Sequence, residues 1–320
     1  MVADLKKYRI GVLRGGPSSE REISLLSGES VLEILEKRGF EVRDIIVPER
    51  KDRKYLKSWI LKVLKEEKID LCFIALHGWF GEDGNIQKIL DESNYLYTGS
   101  NKHACKISMD KIASKDVFEK NLIPTPRYFI VDAESKVNWS LLKFPAILKP
   151  SSQGSSIGIY KIKDSIEAEY LIPEVLNYDG RVLVEDFIEG IELTVGIVED
   201  KPLAVIKISS SSDIYNYEVK YTDGLSSYSI PADIDKRLTE RVQGLALKAH
   251  RAIGCNMFSR VDILYSTVRD EVFVLEVNTI PGLTKISLLP KAAKVCGIEF
   301  DELVLKMLES AFKGERCLRR

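Results

Sequence analysis

Short apolar runs alternate with amphipathic segments through the first hundred residues, and this alternation constrains the fold more than any other feature. Residues 9–13 (RIGVL), 40–47 and 70–76 (DLCFIAL) are apolar enough to be buried strands. The segments between them, at 23–35 and 58–67, carry apolar residues at helical spacing. Alternating strands and helices predict a parallel, doubly wound sheet with helices on both faces, which is an α/β fold.

Two polar, glycine-containing turns follow predicted strand ends in this part of the chain. One is GGPSSE, which ends at Glu20, and the other is HGWFGEDG, which begins at His77. Ligands of open parallel sheets bind beyond the carboxyl ends of the strands, so both turns are expected at the ligand-binding edge. Glu20 could bind an ammonium group there or compensate the helix dipole. His77 could act on a ligand or be a hydrogen-bonded structural residue.

The pattern changes from about residue 108, where strands begin to predominate. A predicted helix at 110–120 leads into an X-Pro-rich passage, LIPTPRYFIV, which is typical of the start of a new domain. Further strands are predicted at 144–150, 158–162, 181–188, 192–198 and 201–209, and further helices at 235–253 and 300–312. A polar, tyrosine-rich stretch at 210–229 contains Lys220 and Tyr221 and is long enough to be a lid.

The sharpest local pattern is FSRVDILYSTVRDEVFVLEVNT, which predicts two strands, 257–266 and 271–279, around a polar turn. A hairpin centred near Arg269 pairs Asp262 with Glu276 and Arg260 with Asn278. Strand alternation places these four side chains on one face. Oxygens of two carboxylates and an amide are ligands that suit Mg²⁺. The alternative is a cross-strand surface held by salt bridges.

A second pattern, LKPSSQGSSIG, places Lys149 at a strand end before a loop rich in glycine and serine. Successive backbone N–H groups in such a loop can form an anion-binding nest beside the lysine charge, although a merely flexible loop has the same composition. Lys111, in SMDK, is a second candidate cation, with a solvated helix lysine as the alternative. Neither segment matches GxxxxGK[ST] or GxGxxG.

Composition excludes several classes of function. The 320 residues include 47 Lys and Arg against 48 Asp and Glu, a net charge of −1 that argues against nucleic-acid partners and polybasic membrane anchors. No apolar run approaches the ~20 residues that span a bilayer, and the first residues do not read as a secretory signal. Five cysteines without CxxC spacing and three histidines indicate neither a disulfide framework nor a zinc site. These features predict a cytoplasmic protein of two or three domains.

A longer series of motifs resembles the D-alanine–D-alanine ligase family of ATP-grasp enzymes. In chain order the motifs are GGPSSEREISLLSG, ALHGWFGEDG, YTGS, SMDKIASK, LKPSSQGSSIG, VEDFIEGIELTV, YEVKY, SRVDI and LEVNTIPGLTKISLLP. The resemblance implies a three-domain ATP-grasp architecture, α/β with an α+β C-terminal part. Its domains would be a Rossmann-like substrate domain at 1–104, a central ATP-grasp domain at 105–188, and a C-terminal ATP-grasp domain at 189–320 with a lid near 208–230.

The resemblance also implies an activity. Ligases of this family use ATP to phosphorylate the carboxylate of one D-alanine, and the amine of a second D-alanine then attacks the acylphosphate through a tetrahedral intermediate. The product, D-alanyl-D-alanine, serves peptidoglycan precursor synthesis in cell-wall biogenesis. The resemblance implies a homodimer as well. Alternatives within the superfamily are another carboxylate–amine ligase or a D-alanine–D-lactate ligase.

By similarity, the cofactor sites can be assigned to residues of this sequence. The phosphates would be held by Lys111, Lys149, Ser156 and Lys220, the adenine by Glu185, Phe187 and Ile188, and the ribose by Glu192. Two Mg²⁺ ions, or Mn²⁺, would be held by Asp262, Glu276 and Asn278.

By similarity again, the substrates would be bound by a second set of residues. Glu20 would pair with the ammonium of the first D-alanine, with His77 close by. Arg260 and the Gly282 N–H would stabilise the oxyanion. The carboxylate of the second D-alanine would be bound by Ser287 and Leu288. Tyr221 resembles the lid tyrosine that hydrogen-bonds Ser155, itself linked to Glu20, and in the family it accompanies dipeptide rather than D-alanine–D-lactate synthesis.

Two functional classes outside the superfamily compete with this interpretation. A dinucleotide-dependent oxidoreductase would suit the N-terminal third, but the GxGxxG turn and the spaced ribose carboxylate are missing from the sequence. A small-molecule binding protein without catalytic activity would need neither the Asp262–Glu276–Asn278 face nor a second lysine.

Overall fold

The computed structural model describes residues 5–134, 137–139, 142–210 and 226–312. Its first sheet is parallel throughout and has the order β2-β1-β3-β4. The strands are β1 (Ile10–Gly15), β2 (Val42–Val47), β3 (Leu71–Ile74) and β4 (Leu96–Tyr97), and the helices between them are α1 (Arg21–Lys37), α2 (Arg53–Glu66) and α3 (Asn85–Glu92). The predicted α/β fold is confirmed, and both polar turns follow the carboxyl ends of their strands.

Helix α2 begins five residues earlier than its apolar spacing predicts. Asp52 is the N-cap, and its side chain accepts a hydrogen bond from the Tyr55 N–H. Such a cap stabilises a first turn that begins with the charged Arg53 and Lys54 and the exposed Tyr55. Leu56, Ile60 and Leu64, spaced four residues apart, then form the fully buried stripe that attaches the helix to the sheet.

The second sheet is antiparallel and has the order β5-β8-β6-β7. It comprises β5 (Tyr128–Asp132), β6 (Ala146–Pro150), β7 (Tyr160–Ile162) and β8 (Arg181–Asp186), with helix α6 (Ser165–Asp179) packed on it. In the register of β6 and β8, Lys149 lies opposite Leu183 and Ile147 lies opposite Glu185. Lys149 and Glu185 are therefore diagonal neighbours on one face, within reach of each other's side chains.

The third sheet is also antiparallel, with the order β11-β10-β9-β12-β13. Its strands are β9 (Ile191–Val198), β10 (Lys201–Ser210), β11 (Ser226–Ser229), β12 (Phe258–Ser266) and β13 (Glu271–Asn278). Helix α7 (Lys236–Ile253) buries Val242 and Ala246 in the same core as Val195 and Val261. Helix α8 (Leu288–Val295) packs on β9 and β10, which gives this part of the chain the expected α+β character.

Packing crosses two of the predicted domain limits. Helices α4 (Lys102–Met109) and α5 (Lys111–Lys120) place Ala104 and Phe118 in the core of the third sheet. Helix α9 (Phe300–Glu309), followed by a 3₁₀ turn at Ser310–Phe312, shares a core with α1 and the first sheet. The division at 104 and 188 therefore stays a prediction.

The described helices include none with both the length and the continuous apolar character that a membrane crossing requires.

Candidate active site

The turn after β1 and the loop after β6 (residues 151–158, SSQGSSIG, the serine-rich loop) meet at Glu20. Ser155 Oγ donates a hydrogen bond to the Glu20 carboxylate. A Cβ atom on Gly154 would lie 2.8 Å from Glu20 Oε2, so the loop can approach this closely because position 154 has no side chain. Glu20 itself is the N-cap residue of α1, where a carboxylate is also favoured by the helix dipole.

His77 connects the end of β3 to the segment that follows β13. Its Nδ1 lies 3.0 Å from the Ile280 carbonyl oxygen, and its Nε2 lies 3.0 Å from Ser27 Oγ. A carbonyl can only accept, so Nδ1 carries the proton and Nε2 accepts from the Ser27 hydroxyl. Ser27 Oγ in turn accepts from the Leu283 N–H at 3.2 Å. Burial lowers the pKa of His77, which keeps the ring in this neutral form.

Glu82 is a site residue that the sequence reasoning missed, although it stands within the motif HGWFGEDG. Its Oε2 accepts from the Gly78 N–H at 2.8 Å, and its Oε1 accepts from the Ile280 N–H at 3.3 Å. Burial, followed by the charge of Glu20, raises the pKa of Glu82 to about 8, although these two N–H groups act in the opposite direction. Glu82 and His77 thus hold the same backbone segment against the first sheet.

The hairpin of β12 and β13 has the predicted register at its site end. Arg260 faces Asn278 and Asp262 faces Glu276, with a register shift immediately after Asp262. The Asp262 carboxylate is buried and accepts from Arg260 Nε at 2.8 Å, from Arg260 Nη2 at 2.7 Å and from Thr194 Oγ1 at 2.6 Å. A buried carboxylate with several donors does not fit the alternative of an exposed, salt-bridged surface.

Whether the hairpin suits a metal ion depends on the ligands that Asp262, Glu276 and Asn278 present on this face. The donor set is two carboxylates and an amide, all oxygen ligands on one sheet face, which is the chemistry that Mg²⁺ or Mn²⁺ prefers. Within the described ranges, no cluster of three or more His, Cys, Asp or Glu side chains is drawn together as a metal site. Cationic side chains face both carboxylates, since Arg260 binds Asp262 and Lys111 Nζ lies 3.7 Å from Glu276 Oε2.

The two predicted phosphate-binding lysines are both buried and have different partners. Lys111, the first residue of α5, donates from Nζ to the Gln153 carbonyl at 2.6 Å, in the serine-rich loop. Lys149 Nζ lies 2.7 Å from Glu185 Oε2. The other oxygen, Glu185 Oε1, is buried and lies 2.7 Å from Lys115 Nζ, and a carboxylate oxygen has a second lone pair beyond this contact. Such an oxygen can accept from a donor on a ligand.

A small cavity of about 40 Å³ lies where these segments converge. The carboxylates of Glu20, Glu82 and Glu276 line it together with Lys111 and Ser155. The structure thus brings residues from five separate sequence motifs to one place. The cavity is only large enough for water, because the serine-rich loop lies over it.

The remaining predicted residues lie around this centre. Lys161 Nζ stands 4.1 Å from the ring centroid of Phe187, and the adjacent Ile188 is buried. Glu192 is on β9, and Ser156 follows Ser155 in the loop. Lys220 and Tyr221, with most of the predicted lid, lie outside the described residues.

The proposed second-substrate segment lies at the start of α8. Ser287 is the N-cap residue there, Leu288 is the first helical residue, and Ser287 Oγ accepts from the Thr284 N–H at 3.1 Å. A Cβ atom on Gly282 would stand 2.9 Å from Ser287 Oγ. The segment is therefore a compact turn whose N-terminal helix end is available to a carboxylate.

Comparison with known proteins places the chain in a family. The family model described as D-ala D-ala ligase C-terminus matches residues 121–309, which is more than half of the chain. The chain belongs to the D-alanine–D-alanine ligase family. This confirms the resemblance predicted from the order of the motifs.

Full-length relatives of this family are similar over nearly the whole chain. The D-alanine–D-alanine ligase of Citrifermentans bemidjiense is 41% identical over 314 residues, covering 97% of this chain and 98% of the relative. That of Desulforudis audaxviator is 43% identical over 311 residues, covering 95% and 98%. The crystal structure of the D-alanine–D-alanine ligase from Bacillus anthracis complexed with ATP has a TM-score of 0.82 at 30% identity, covering 95% of this chain and 97% of that one. The three-domain ATP-grasp fold of D-alanine–D-alanine ligases is thereby confirmed for this chain.

Proposed function

We propose that this chain joins two D-alanine molecules, with ATP as the phosphoryl donor, to give D-alanyl-D-alanine for peptidoglycan precursor synthesis. The observation that carries the proposal is the cavity at which Glu20, Lys111, Ser155 and Glu276 converge in a chain of the D-alanine–D-alanine ligase family. A carboxylate for an amino acid's ammonium and a cation for phosphate are the two complementary charges this reaction needs.

The nucleotide would bind between the second and third sheets. Glu185 Oε1 is a buried carboxylate oxygen that contacts Lys115 Nζ, and its second lone pair suits the exocyclic amine of adenine. Phe187 and Ile188 would flank the base and Glu192 would bind the ribose. The phosphates would be held by Lys111, Lys149, Ser156 and Lys220.

Asp262, Glu276 and Asn278 have the oxygen donors to hold Mg²⁺ or Mn²⁺, which would neutralise phosphate charge and polarise the phosphoryl group during transfer.

The protein's own residues position the two D-alanines. Glu20 binds the ammonium of the first, whose carboxylate attacks the terminal phosphorus of ATP and expels ADP. Phosphorylation turns a carboxylate oxygen, a poor leaving group, into phosphate, a good one. The amine of the second D-alanine, docked at Ser287 and Leu288, then attacks the acyl carbon. Arg260 and the Gly282 N–H stabilise the oxyanion before phosphate leaves.

His77 has an orienting role in this proposal. Both of its ring nitrogens are engaged, Nδ1 by Ile280 and Nε2 by Ser27, and burial favours the neutral ring. The ring therefore fixes the segment that carries Gly282, rather than presenting a free nitrogen as a base. Tyr221 would link the lid to Ser155.

Phosphate release from ATP, measured with Mg²⁺ near neutral pH, tests the proposal. D-Alanine at millimolar concentration should stimulate release, and D-alanyl-D-alanine should form in equal amount. Absence of stimulation would contradict the proposal. Product formation with a panel of D-amino acids and D-lactate as second substrate would identify a different ligase specificity. Use of D-lactate at a rate comparable to that of D-alanine would contradict the dipeptide assignment. A homodimer and a cytoplasmic location remain predictions.

A further inference from the structure

Three charged side chains are buried together beside the proposed adenine site. Glu185 lies between two lysines, with Lys115 Nζ 2.7 Å from Oε1 and Lys149 Nζ 2.7 Å from Oε2. Their exposed fractions are 3% for Glu185, 1% for Lys115 and 7% for Lys149. The proposed nucleotide site uses Glu185 and Lys149, and it gives Lys115 no role. Burying a lysine this completely is costly unless its charge is paired and hydrogen-bonded, as that of Lys115 is here.

The fold brings the two lysines to Glu185 from different elements. Lys149 is on β6, diagonal to Glu185 on β8. Lys115 is on α5, one turn after Lys111 and so on the same side of that helix. Helix α5 therefore directs one lysine to the hairpin carboxylate Glu276 and the next to the carboxylate of the central sheet.

The two lysines differ in how firmly they are held. Lys115 Nζ also donates to Thr125 Oγ1 at 2.7 Å and to the Pro126 carbonyl at 3.2 Å, and it lies 4.9 Å from the ring centroid of Tyr128. These partners are neutral and fix the ammonium in place. Lys149 instead is the next-to-last residue of β6, close to the serine-rich loop, where phosphate is expected. It is the lysine that a nucleotide phosphate would draw away.

Movement of Lys149 to a phosphate would leave Glu185 short of one counter-ion. If Lys115 were absent as well, Glu185 would be a buried carboxylate without any counter-ion. Such a carboxylate is strongly disfavoured and would take up a proton. A protonated Glu185 would no longer be an acceptor at both oxygens.

We propose that Lys115 is a positioning residue for nucleotide binding. It is the permanent counter-ion of Glu185, so Lys149 can transfer to a phosphate oxygen while Glu185 stays ionised and keeps an acceptor for the base. The inference rests on the proposed function, because it takes the nucleotide to be bound at Glu185 and Lys149.

The charges around the cluster agree with this assignment. Burial would raise the pKa of Glu185, but Lys115 and Lys149 together lower it below the ordinary value. Burial lowers the pKa of Lys115 to about 8, with Glu185 opposing, so the ammonium form still predominates at pH 7. The other titratable groups near the cluster are Glu119, which favours the charged Lys115, and Tyr128, whose pKa burial raises to about 12.

Calorimetric titration with ATP, without D-alanine, tests the proposal in Lys115→Met at pH 7. Using two buffers of different ionisation enthalpy gives the number of protons taken up on binding. Wild type should take up less than about 0.2 proton, because Glu185 stays ionised and Lys115 is already mostly charged. Lys115→Met should bind ATP at least about 10-fold more weakly and take up close to one proton. Its KM for ATP should rise while kcat at saturating ATP changes less than about threefold.

Two further variants complete the experiment. Lys120→Met makes the same substitution on an exposed position of the same helix and should behave as wild type. The double variant Lys115→Met/Glu185→Gln removes both charges, so its proton uptake should vanish. If Lys115→Met failed to fold while the double variant folded, the role of Lys115 as counter-ion would be supported. Failure of both to fold would assign Lys115 to packing and overturn the proposal.

The outcomes separate this proposal from the proposed function. If wild type binds ATP and Lys115→Met has the same affinity for ATP and the same proton uptake, the role of Lys115 alone is overturned. Failure of wild type to bind ATP would overturn the proposed function, and the role of Lys115 with it.

Discussion

Arg260 has one established partner and one proposed one. Its guanidinium contacts both oxygens of Asp262 in the structure, at 2.8 and 2.7 Å, and its proposed role in the reaction is at the oxyanion. Bidentate guanidinium contacts are geometrically specific, and a lysine would not reproduce them. Arg260 thus places a rigid cation at the edge of the cavity without leaving Asp262 uncompensated.

Arg260→Ala should lower kcat by at least about 10²–10³-fold, because a positioned donor to the developing oxyanion is lost. ATP binding should remain measurable, since the lysines and Glu185 are untouched. Steady-state kinetics and calorimetry check the two quantities on one preparation.

Arg251→Ala is the matched control for Arg260→Ala. Arg251 pairs with Asp200 on the exposed surface, and loss of such a pair changes stability little. Its kcat should equal that of wild type. Equal losses of ATP affinity and kcat in Arg260→Ala would show that Arg260 acts by holding the site together rather than at the oxyanion.

At the residue scale, the site residues that can be predicted from the sequence are those whose spacing is itself unusual. Asp262, Glu276 and Asn278 could be related to one another through strand alternation alone. Glu82 and Lys115 could not, because each acts through contacts with residues distant in sequence, Ile280 for Glu82 and Glu185 for Lys115. Lys115 follows Lys111 by one helical turn, and that i, i+4 spacing was the available signal.

The serine-rich loop is the element on which access to the cavity depends. Gly154 lies against Glu20, and a Cβ atom there would meet the end of a flexible side chain. Gly154→Ala should therefore leave the unfolding midpoint unchanged but displace Ser155 from Glu20. We expect kcat/KM for D-alanine to fall about 10-fold, since small misplacements in a closed site are costly.

Gly244→Ala controls for the effect of the substitution itself. Gly244 lies within α7, and nothing would stand within 4 Å of the added Cβ atom. This variant should gain about 0.5–1 kcal/mol of stability with unchanged kinetics. Wild-type activity in Gly154→Ala would mean that the loop contact at Glu20 does not take part in turnover.

Helix α7 contains a histidine whose titration should be visible in stability. Burial lowers the pKa of His250 to about 4, and its Nδ1 lies 2.7 Å from Ser259 Oγ. Between pH 4 and 6.5 the unfolded chain therefore binds more protons than the folded one, so the free energy of unfolding rises with pH across this window. Acidification through the window should remove about 1–3 kcal/mol.

Urea unfolding of His250→Gln at several pH values checks this expectation. The variant should have a flatter dependence on pH between 4 and 6.5, whatever its overall stability. His103→Gln, at an exposed position, should keep the wild-type slope. Parallel curves for wild type and His250→Gln would contradict the assignment of the titration to His250.

At the element scale, the predictable and unpredictable parts of the fold separate clearly. The parallel first sheet and the Arg260–Asn278 register could both be predicted, because each follows from local periodicity. The shift between Asp262 and Ile263 could not, since a bulge leaves the alternation of apolar residues nearly unchanged. The packing of α4 and α5 on the third sheet is a tertiary contact with no local signal.

At the scale of the whole molecule, the first and last parts of the chain share one core. Leu308 of α9 is fully buried (0% exposed) in a cluster with Val31 and Leu35 of α1 and Phe73 of β3. A predicted domain of residues 1–104 would otherwise be expected to unfold on its own. The shared cluster instead couples the stability of the first sheet to the C-terminal helices.

Leu308→Ala should lower the free energy of unfolding by about 2–5 kcal/mol, because it leaves a cavity in this shared core. Trp59 and Trp79 pack against the first sheet and Trp139 against the second, so a Trp139→Phe background makes fluorescence report on the first sheet alone. In that background Leu308→Ala should shift the urea midpoints of fluorescence and far-ultraviolet circular dichroism together.

The control Leu122→Ala, at a position that is 84% exposed, should shift neither midpoint. A fluorescence midpoint that stayed at the wild-type value while circular dichroism fell would mean that residues 1–104 unfold independently after all.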